Sequence, residues 1–291
     1  MSYTLIRLAR REPEMAGLDV FTWAEGLAFI SHDVRVGVRV TDAALWPRLM
    51  DRLPPDWTVI PPRVDRIFSI VAGGADVSSG HTLYDGGEAI LHSHDLDHVL
   101  DQIESRIRLH VATASSNRLF VHAGVVGWHG RAIVIPGESR SGKSELVMAL
   151  TRAGASYYSD EYAVFDAQGL VHPYARPLAL RNADGESKRR IAIGAMTSAV
   201  GTDALPVGAV VVTRFSPQAT WRPRPLSGGE ALLALVANTV RARLDPPVVL
   251  KRLSHAIRNA DRCESARGEA AASAGAILEH CYGTVIAELI A

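Results

Sequence analysis

Eight residues constrain this chain more than any others: Gly137-Glu138-Ser139-Arg140-Ser141-Gly142-Lys143-Ser144, which fit the spacing G-x-x-x-x-G-K-[ST]. Their flanks give the spacing meaning. Arg131-Ala-Ile-Val-Ile-Pro136 ahead of them is a short apolar run of strand type, and Glu145-Leu-Val-Met-Ala-Leu-Thr-Arg152 behind them is a helix former closed by Gly154. Strand, glycine loop and helix in that order let consecutive backbone N–H groups and a helix N-terminus wrap a phosphate chain. The expectation is an α/β fold with a nucleotide-phosphate site along Gly137–Ser144. Lys143 would reach the β- and γ-phosphates of ATP, and the Ser144 hydroxyl would sit on Mg²⁺.

The rest of the composition sets limits on partners. With 291 residues, the chain is long enough for one large domain or two smaller ones. Lys+Arg and Asp+Glu both total 31, so no global field favours nucleic acid or an anionic membrane. The two cysteines, Cys263 and Cys281, have no metal-type spacing, and both fall in what reads as a C-terminal helical stretch. No apolar run approaches membrane-spanning length, and the first residues lack the apolar core of a signal peptide. A cytoplasmic globular protein is expected.

Residues 1–91 read as a β-rich accessory region and 92–291 as the P-loop domain with helices at its C-terminal end. Val34–Val40 alternates strictly, as a half-exposed strand does. Thr41-Asp42 opens a short helical piece, and Arg66–Val71 is a further strand. The run His92-Ser93-His94-Asp95-Leu96-Asp97-His98 offers two histidines at i, i+4 to a metal but no third ligand. Ser93 or Asp95 capping a helix with Leu96, Val99, Leu100, Ile103, Ile107 and Val111 on one face is the better reading.

Arg118–Val126, a tight turn at Gly127-Trp-His-Gly130, and Arg131–Ile135 form a hairpin that feeds the glycine loop. Beyond the helix, Ala155–Ser159 reads as a strand ending in Asp160-Glu161. Carboxylates at the end of a neighbouring strand are where a P-loop protein holds its metal and its hydroxyl or water. Pro177–Arg181 is another strand. Residues 182–203, with Lys188-Arg189-Arg190, read as a mobile loop, and Val207–Thr213 as a buried strand. Leu226-Ser-Gly-Gly-Glu230 resembles the signature of ABC-transporter ATPases. A helix follows it, however, from Ala231 to about Arg243, so Ser227 and Glu230 are better read as a capping box. Two more helices are expected, Val248–Ala260 and roughly Ala266–Leu289, the latter packing on its own domain or bridging subunits of a homo-oligomer.

His122 on the hairpin, Gly137–Ser144 followed by Glu145, Arg152-Ala-Gly154 closing the helix, and then Asp160-Glu161 occur in an order that resembles the catalytic domain of HPr kinase/phosphorylase and related P-loop kinases. Glu161 stands where that family has a second aspartate. The resemblance implies a P-loop kinase fold shared with phosphoenolpyruvate carboxykinases, ATP with Mg²⁺, and phosphoryl transfer to a serine hydroxyl of a protein or peptide. It further implies Asp160 as base toward the acceptor, Glu161 as metal ligand, His122 beside them, and Arg181 steadying the transferred phosphate. Two rivals stand beside this: a kinase acting on a small molecule such as free serine, and a nucleotide-binding regulator with little turnover.

Overall fold

Side chains on the strand that precedes the glycine loop alternate between two cores. Ala132 and Val134 face one cluster of buried residues, Ile133 and Ile135 the other. A strand buried on both faces needs helices on both sides of its sheet, which fixes a layered α/β arrangement. The computed structural model describes residues 7–8, 18, 20–73, 80–138, 141–181, 188–197 and 199–290, with 7–8, 179, 181, 188 and 282–290 described through their backbone alone. The fold is mixed α/β. The chain divides into two compact units, Met1–Ser116 and Asn117–Ala291.

The first unit carries β1 (Arg7–Leu8), β2 (Glu25–Ser31), β3 (Val34–Val40), β4 (Thr58–Val59), β5 (Arg63–Val64), β6 (Arg66–Val71), β7 (His81–Asp85) and β8 (Glu88–Ser93), with α1 (Trp46–Met50) and α2 (Leu96–Ala114). Six of these strands form one sheet in the order β4-β2-β3-β6-β7-β8. Asp95 caps α2, its side chain accepting from the amides of Asp97 and His98. Val99, Leu100, Ile103, Ile107 and Val111 are buried on that helix, and α2 packs on β3, β7 and β8. That packing places α2 in the first unit, so the division falls after Ser116 and not after Leu91 as the sequence reading had it. The expected half-exposure of β3 is also corrected. Its valines are buried, and on the opposite face Arg39 lies beneath the Trp23 ring at 3.9 Å and donates from Nε to Ser69 Oγ at 2.9 Å. An aromatic cover over the arginine stem buries a strand that alternates like a surface one.

The second unit begins with β9 (Leu119–Trp128) and β10 (Arg131–Pro136), joined by His129 (φ 46°) and Gly130 (φ 74°). Two consecutive positive φ values are what a two-residue hairpin turn requires. There follow α3 (Lys143–Arg152), β11 (Ser156–Ser159), β12 (Tyr162–Phe165), β13 (Val171–His172), β14 (Leu178–Arg181), β15 (Lys188–Ile191), α4 (Ile193–Met196), β16 (Val207–Phe215), β17 (Arg224–Pro225), α5 (Gly228–Ala237), α6 (Pro246–Ala256), β18 (Asp261–Arg267) and α7 (Ala270–Ile290). The main sheet runs β13-β12-β9-β10-β16-β18-β17, with β11 also pairing β9. Strands β10, β16 and β18 are mutually parallel, while β9 is antiparallel to β10. On one face lie Leu146, Val147 and Leu150 of α3 with Ala274, Ile277 and Leu278 of α7. On the other lie Ala231 and Leu235 of α5 with Val249 and Leu253 of α6.

Three sequence expectations change here. Asp261–Arg267 is a strand in the main sheet, so Cys263 lies on β18 and the last helix starts only at Ala270; both cysteines are free and buried. The helix after Ser227 ends at Ala237, because Asn238 and Val240 bond to the β9 backbone: the His122 amide donates to Asn238 O at 2.7 Å, and the Val240 amide to Phe120 O at 3.0 Å. Within the segment read as a loop, Lys188–Ile191 pairs with β14, and residues 182–187 lie outside the described ones. The capping box at Leu226–Glu230 is present. Glu230 N–H donates to Ser227 Oγ at 3.2 Å, and Ser227 N–H to Glu230 Oε2 at 2.8 Å. Among the described residues, no helix is long and apolar enough to cross a membrane.

Candidate functional site

The site is built around β9. Pro136 at the end of β10 pairs with Ala123, and the Gly137 amide donates to His122 O at 3.2 Å, so the glycine loop leaves the sheet at that level. On the other side of β9, Ser159 pairs with Val125 and, in the same register, Tyr162 pairs with His122, so Asp160-Glu161 lie between the two pairs; the register shift falls earlier, between Tyr157 and Ser159. The Ala123 amide donates to Glu161 O at 3.2 Å. Loop and carboxylates therefore share one rim of the sheet because both are pinned to the same two residues of β9, His122 and Ala123. Close helix packing completes the frame. A Cβ added at Gly124 would stand 2.6 Å from Val147 of α3, so α3 lies tight against β9.

Gly142 caps α3 with φ 78°, and Lys143 and Ser144 open the helix. Lys143 folds back along the loop, donating from Nζ to Gly137 O at 2.7 Å, Glu138 O at 2.6 Å and Ser141 Oγ at 3.4 Å. Burial lowers its pKa, opposed by the carboxylates of Glu161, Asp160 and Glu138. Ser139 and Arg140 lie outside the described residues.

Ser144 Oγ donates to Asp160 Oδ2 at 2.7 Å. The other carboxylate oxygen, Oδ1, lies 3.1 Å from the Tyr157 hydroxyl, which is also 3.0 Å from Arg176 O. That phenol carries one proton for two acceptors, so a proton on Asp160 would complete the set. Burial pushes the Asp160 carboxyl above its ordinary range and the nearby Glu161 charge adds to this, while the bonds from Ser144 and Tyr157 oppose it. Burial likewise raises the Tyr157 phenol, followed by the charge of Asp160. Glu161 is 3.7 Å from the buried Arg176 guanidinium. His122 lies against Tyr162, ring centroids 4.7 Å apart, and Tyr162 packs edge-on to Phe120 and Tyr174.

Of the residues expected from sequence, Lys143, Ser144, Asp160, Glu161 and His122 are brought to this rim. Arg181 pairs through its backbone with Lys188 in the β14–β15 ribbon, and its side chain lies outside the described part. Three residues were not anticipated: Tyr157, Arg176 and Arg267. Tyr157 and Arg176 are separated in sequence by two turns, and nothing local marks them. Arg267 closes β18, a strand whose composition hid it. It is 2 % exposed and donates from Nη2 to Gly142 O at 2.9 Å, tying the end of β18 to the glycine loop.

The donor set at this rim is a serine hydroxyl and two carboxylates, all hard oxygen ligands of the kind Mg²⁺ takes alongside substrate phosphates. The residues present therefore fit that ion. No family model matches this chain, and no curated protein sequence matches it.

Proposed function

We propose that the unit Asn117–Ala291 binds ATP with Mg²⁺ and transfers the γ-phosphoryl group to a hydroxyl, with a serine of a protein or peptide as the acceptor class that the resemblance implies. The observation that carries this reading is the 2.7 Å bond from Ser144 at the start of α3 to Asp160 at the end of β11. A glycine loop followed by a lysine supports phosphate binding. A carboxylate held on the hydroxyl beside it supports a divalent cation at that same point.

The geometry favours an exchange of the two carboxylate roles. Asp160 is bound to Ser144 and is the better candidate to hold Mg²⁺ with it, whereas Glu161, its side chain 31 % exposed, is the one an incoming acceptor can reach. In this reading Glu161 accepts the hydroxyl proton as the acceptor attacks. Arg176, 91 % buried at the side-chain level and beside Glu161, supplies positive charge for the transferring group. Lys143 moves from the loop carbonyls to the β- and γ-phosphates, exchanging one set of acceptors for another. The bound Mg²⁺ would supply charge neutralisation on the phosphates. Little covalent work is left to the protein, and alignment and charge carry the rate.

The test combines labelled ATP transfer with nucleotide binding in three variants. Lys143→Ala should lose binding and transfer together. Glu161→Gln should lower transfer by about 10²–10⁴-fold with nucleotide affinity nearly kept, as expected for a lost base. Asp160→Asn should lose the part of nucleotide affinity that depends on Mg²⁺. Full transfer in Glu161→Gln with transfer abolished but Mg²⁺-dependent binding intact in Asp160→Asn would return the base to Asp160. Tight ATP binding with no label reaching any hydroxyl acceptor would favour the regulator, and label recovered only in small molecules would favour the small-molecule kinase.

A further inference from the structure

A groove of about 700 Å³ opens between α3 and α7 on the side of the glycine loop away from the carboxylates; its walls include Glu145, Arg152, Phe215, Arg267, Glu269 and Gly275. Its place follows from the sheet order. His122, Asp160 and Glu161 lie on the β9 side of β10, while Phe215 ends β16 and Arg267 ends β18 on the other side. Phe215 and Arg267 are register partners on strands parallel to β10, so they stand at the same carboxyl rim as the loop. Ligands of open α/β sheets lie outside that rim. A nucleotide whose γ-phosphate points to the carboxylates must send its nucleoside in the opposite direction, across β16 and β18.

We propose that this groove holds the nucleoside half of the nucleotide, with Phe215 offering a stacking face to the base. The assignment rests on the phosphate reading of the glycine loop given above. Several features of the groove agree with it. Its charges balance, Glu145 and Glu269 against Arg152 and Arg267, which suits an uncharged polar group better than another phosphate. Phe215 is 43 % exposed although large and apolar, and the Arg267 guanidinium sits 5.7 Å from its ring centroid. Arg267 is itself 2 % exposed, its Nη1 and Nη2 are bonded to Gly268 O and Gly142 O, and its Nε has no hydrogen-bond acceptor. The volume is that of an ordinary small-molecule site. Carboxylates at Glu145 and Glu269 can accept from ribose hydroxyls or an exocyclic amine, and small α7 residues such as Ala271 let a flat ring approach.

The experiment compares Mg²⁺–ATP with Mg²⁺–tripolyphosphate as ligands of the full chain, by calorimetry, in wild type, Phe215→Ala and Gly275→Phe. A Cβ at Gly275 meets nothing within 4 Å and Gly275 lines the groove, so a side chain there starts into open space on the groove wall. Both variants should weaken ATP by about tenfold or more, as loss of base stacking does, and hold tripolyphosphate within about twofold of wild type. Unchanged ATP affinity in both variants would overturn the assignment. So would equal loss of both ligands, which would mean that the groove shapes the loop and holds no nucleoside. If wild type binds neither ATP nor tripolyphosphate, the phosphate reading itself fails, and this assignment fails with it.

Discussion

Gly142 answers two demands that no other residue meets together. Its φ of 78° is a left-handed conformation, and a Cβ there would stand 2.6 Å from Arg267 Nη2. Alanine in that conformation costs about 1–2 kcal/mol, and Arg267 would have to give up its bond to Gly142 O as well. Gly142→Ala is therefore expected to lower the thermal midpoint and to weaken ATP binding more than its stability loss alone explains. Differential scanning calorimetry with an ATP titration checks both, and an unchanged affinity would sever the link between Arg267 and the loop. The motif identifies Gly142 by spacing alone, but its second reason for being glycine lies 125 positions further along. The same holds for Asp160, whose place after a strand is legible and whose partner Tyr157 is not. Tyr157 reads locally as one of two tyrosines in a strand. Only the fold shows that its hydroxyl, and not that of Tyr158, reaches the carboxylate.

At the scale of elements, what could be read was what local chemistry decides. The strand Arg131–Pro136 and the helix Lys143–Arg152 that flank the glycine loop, the hairpin that this strand closes and the cap of α2 all follow from neighbouring residues, and each is present. The capping box at Ser227 is of this kind: Ser227→Ala should cost about 0.5–2 kcal/mol in urea unfolding, and no measurable loss would mean that the helix start is held by packing alone. Strand β18 shows the opposite case. Asp261-Arg-Cys-Glu-Ser-Ala-Arg267 has no β-branched residue, and it is a strand because β16 and β17 flank it and its alternate residues Cys263, Ser265 and Arg267 turn inward. Tertiary pairing outweighs propensity there. Helix α2 carries a titration that the sequence also hides. His110 packs against Phe68, its Nε2 is buried without a partner, and burial, then Arg66, lowers its pKa from 6.5, opposed by Asp85 and Asp65. A depressed folded pKa means that its contribution to stability is complete above the ordinary histidine value and is lost as pH falls through the folded one. His110→Phe should flatten that part of the stability–pH curve, and an identical acid-side slope in the variant would show that other groups set it.

At the scale of the whole molecule, every residue assigned to phosphate, cation, acceptor or nucleoside lies beyond Asn117. So do both of the clusters that cover the two faces of the sheet carrying them. The first unit has its own six-stranded sheet, its own covering helix, and the ion pairs of Arg52 with Asp101 and Glu104 that fasten the turn after α1 to α2. A unit of this size with a complete core is within the range that folds alone. Residues 117–291 expressed separately should therefore give a cooperative melt, with Cys263 and Cys281 protected from alkylation until the chain unfolds. Both thiols are buried, and burial pushes the Cys263 pKa up to about 12, so neither supplies the thiolate that alkylation needs. The fragment should bind Mg²⁺–ATP as the full chain does, because its loop, carboxylates and groove are intact. Transfer to a protein acceptor is the separate measurement: a fragment that binds ATP but has lost transfer would assign acceptor recognition to the first unit. A fragment with freely reactive cysteines and no cooperative transition would show that the second unit's core is not sufficient by itself.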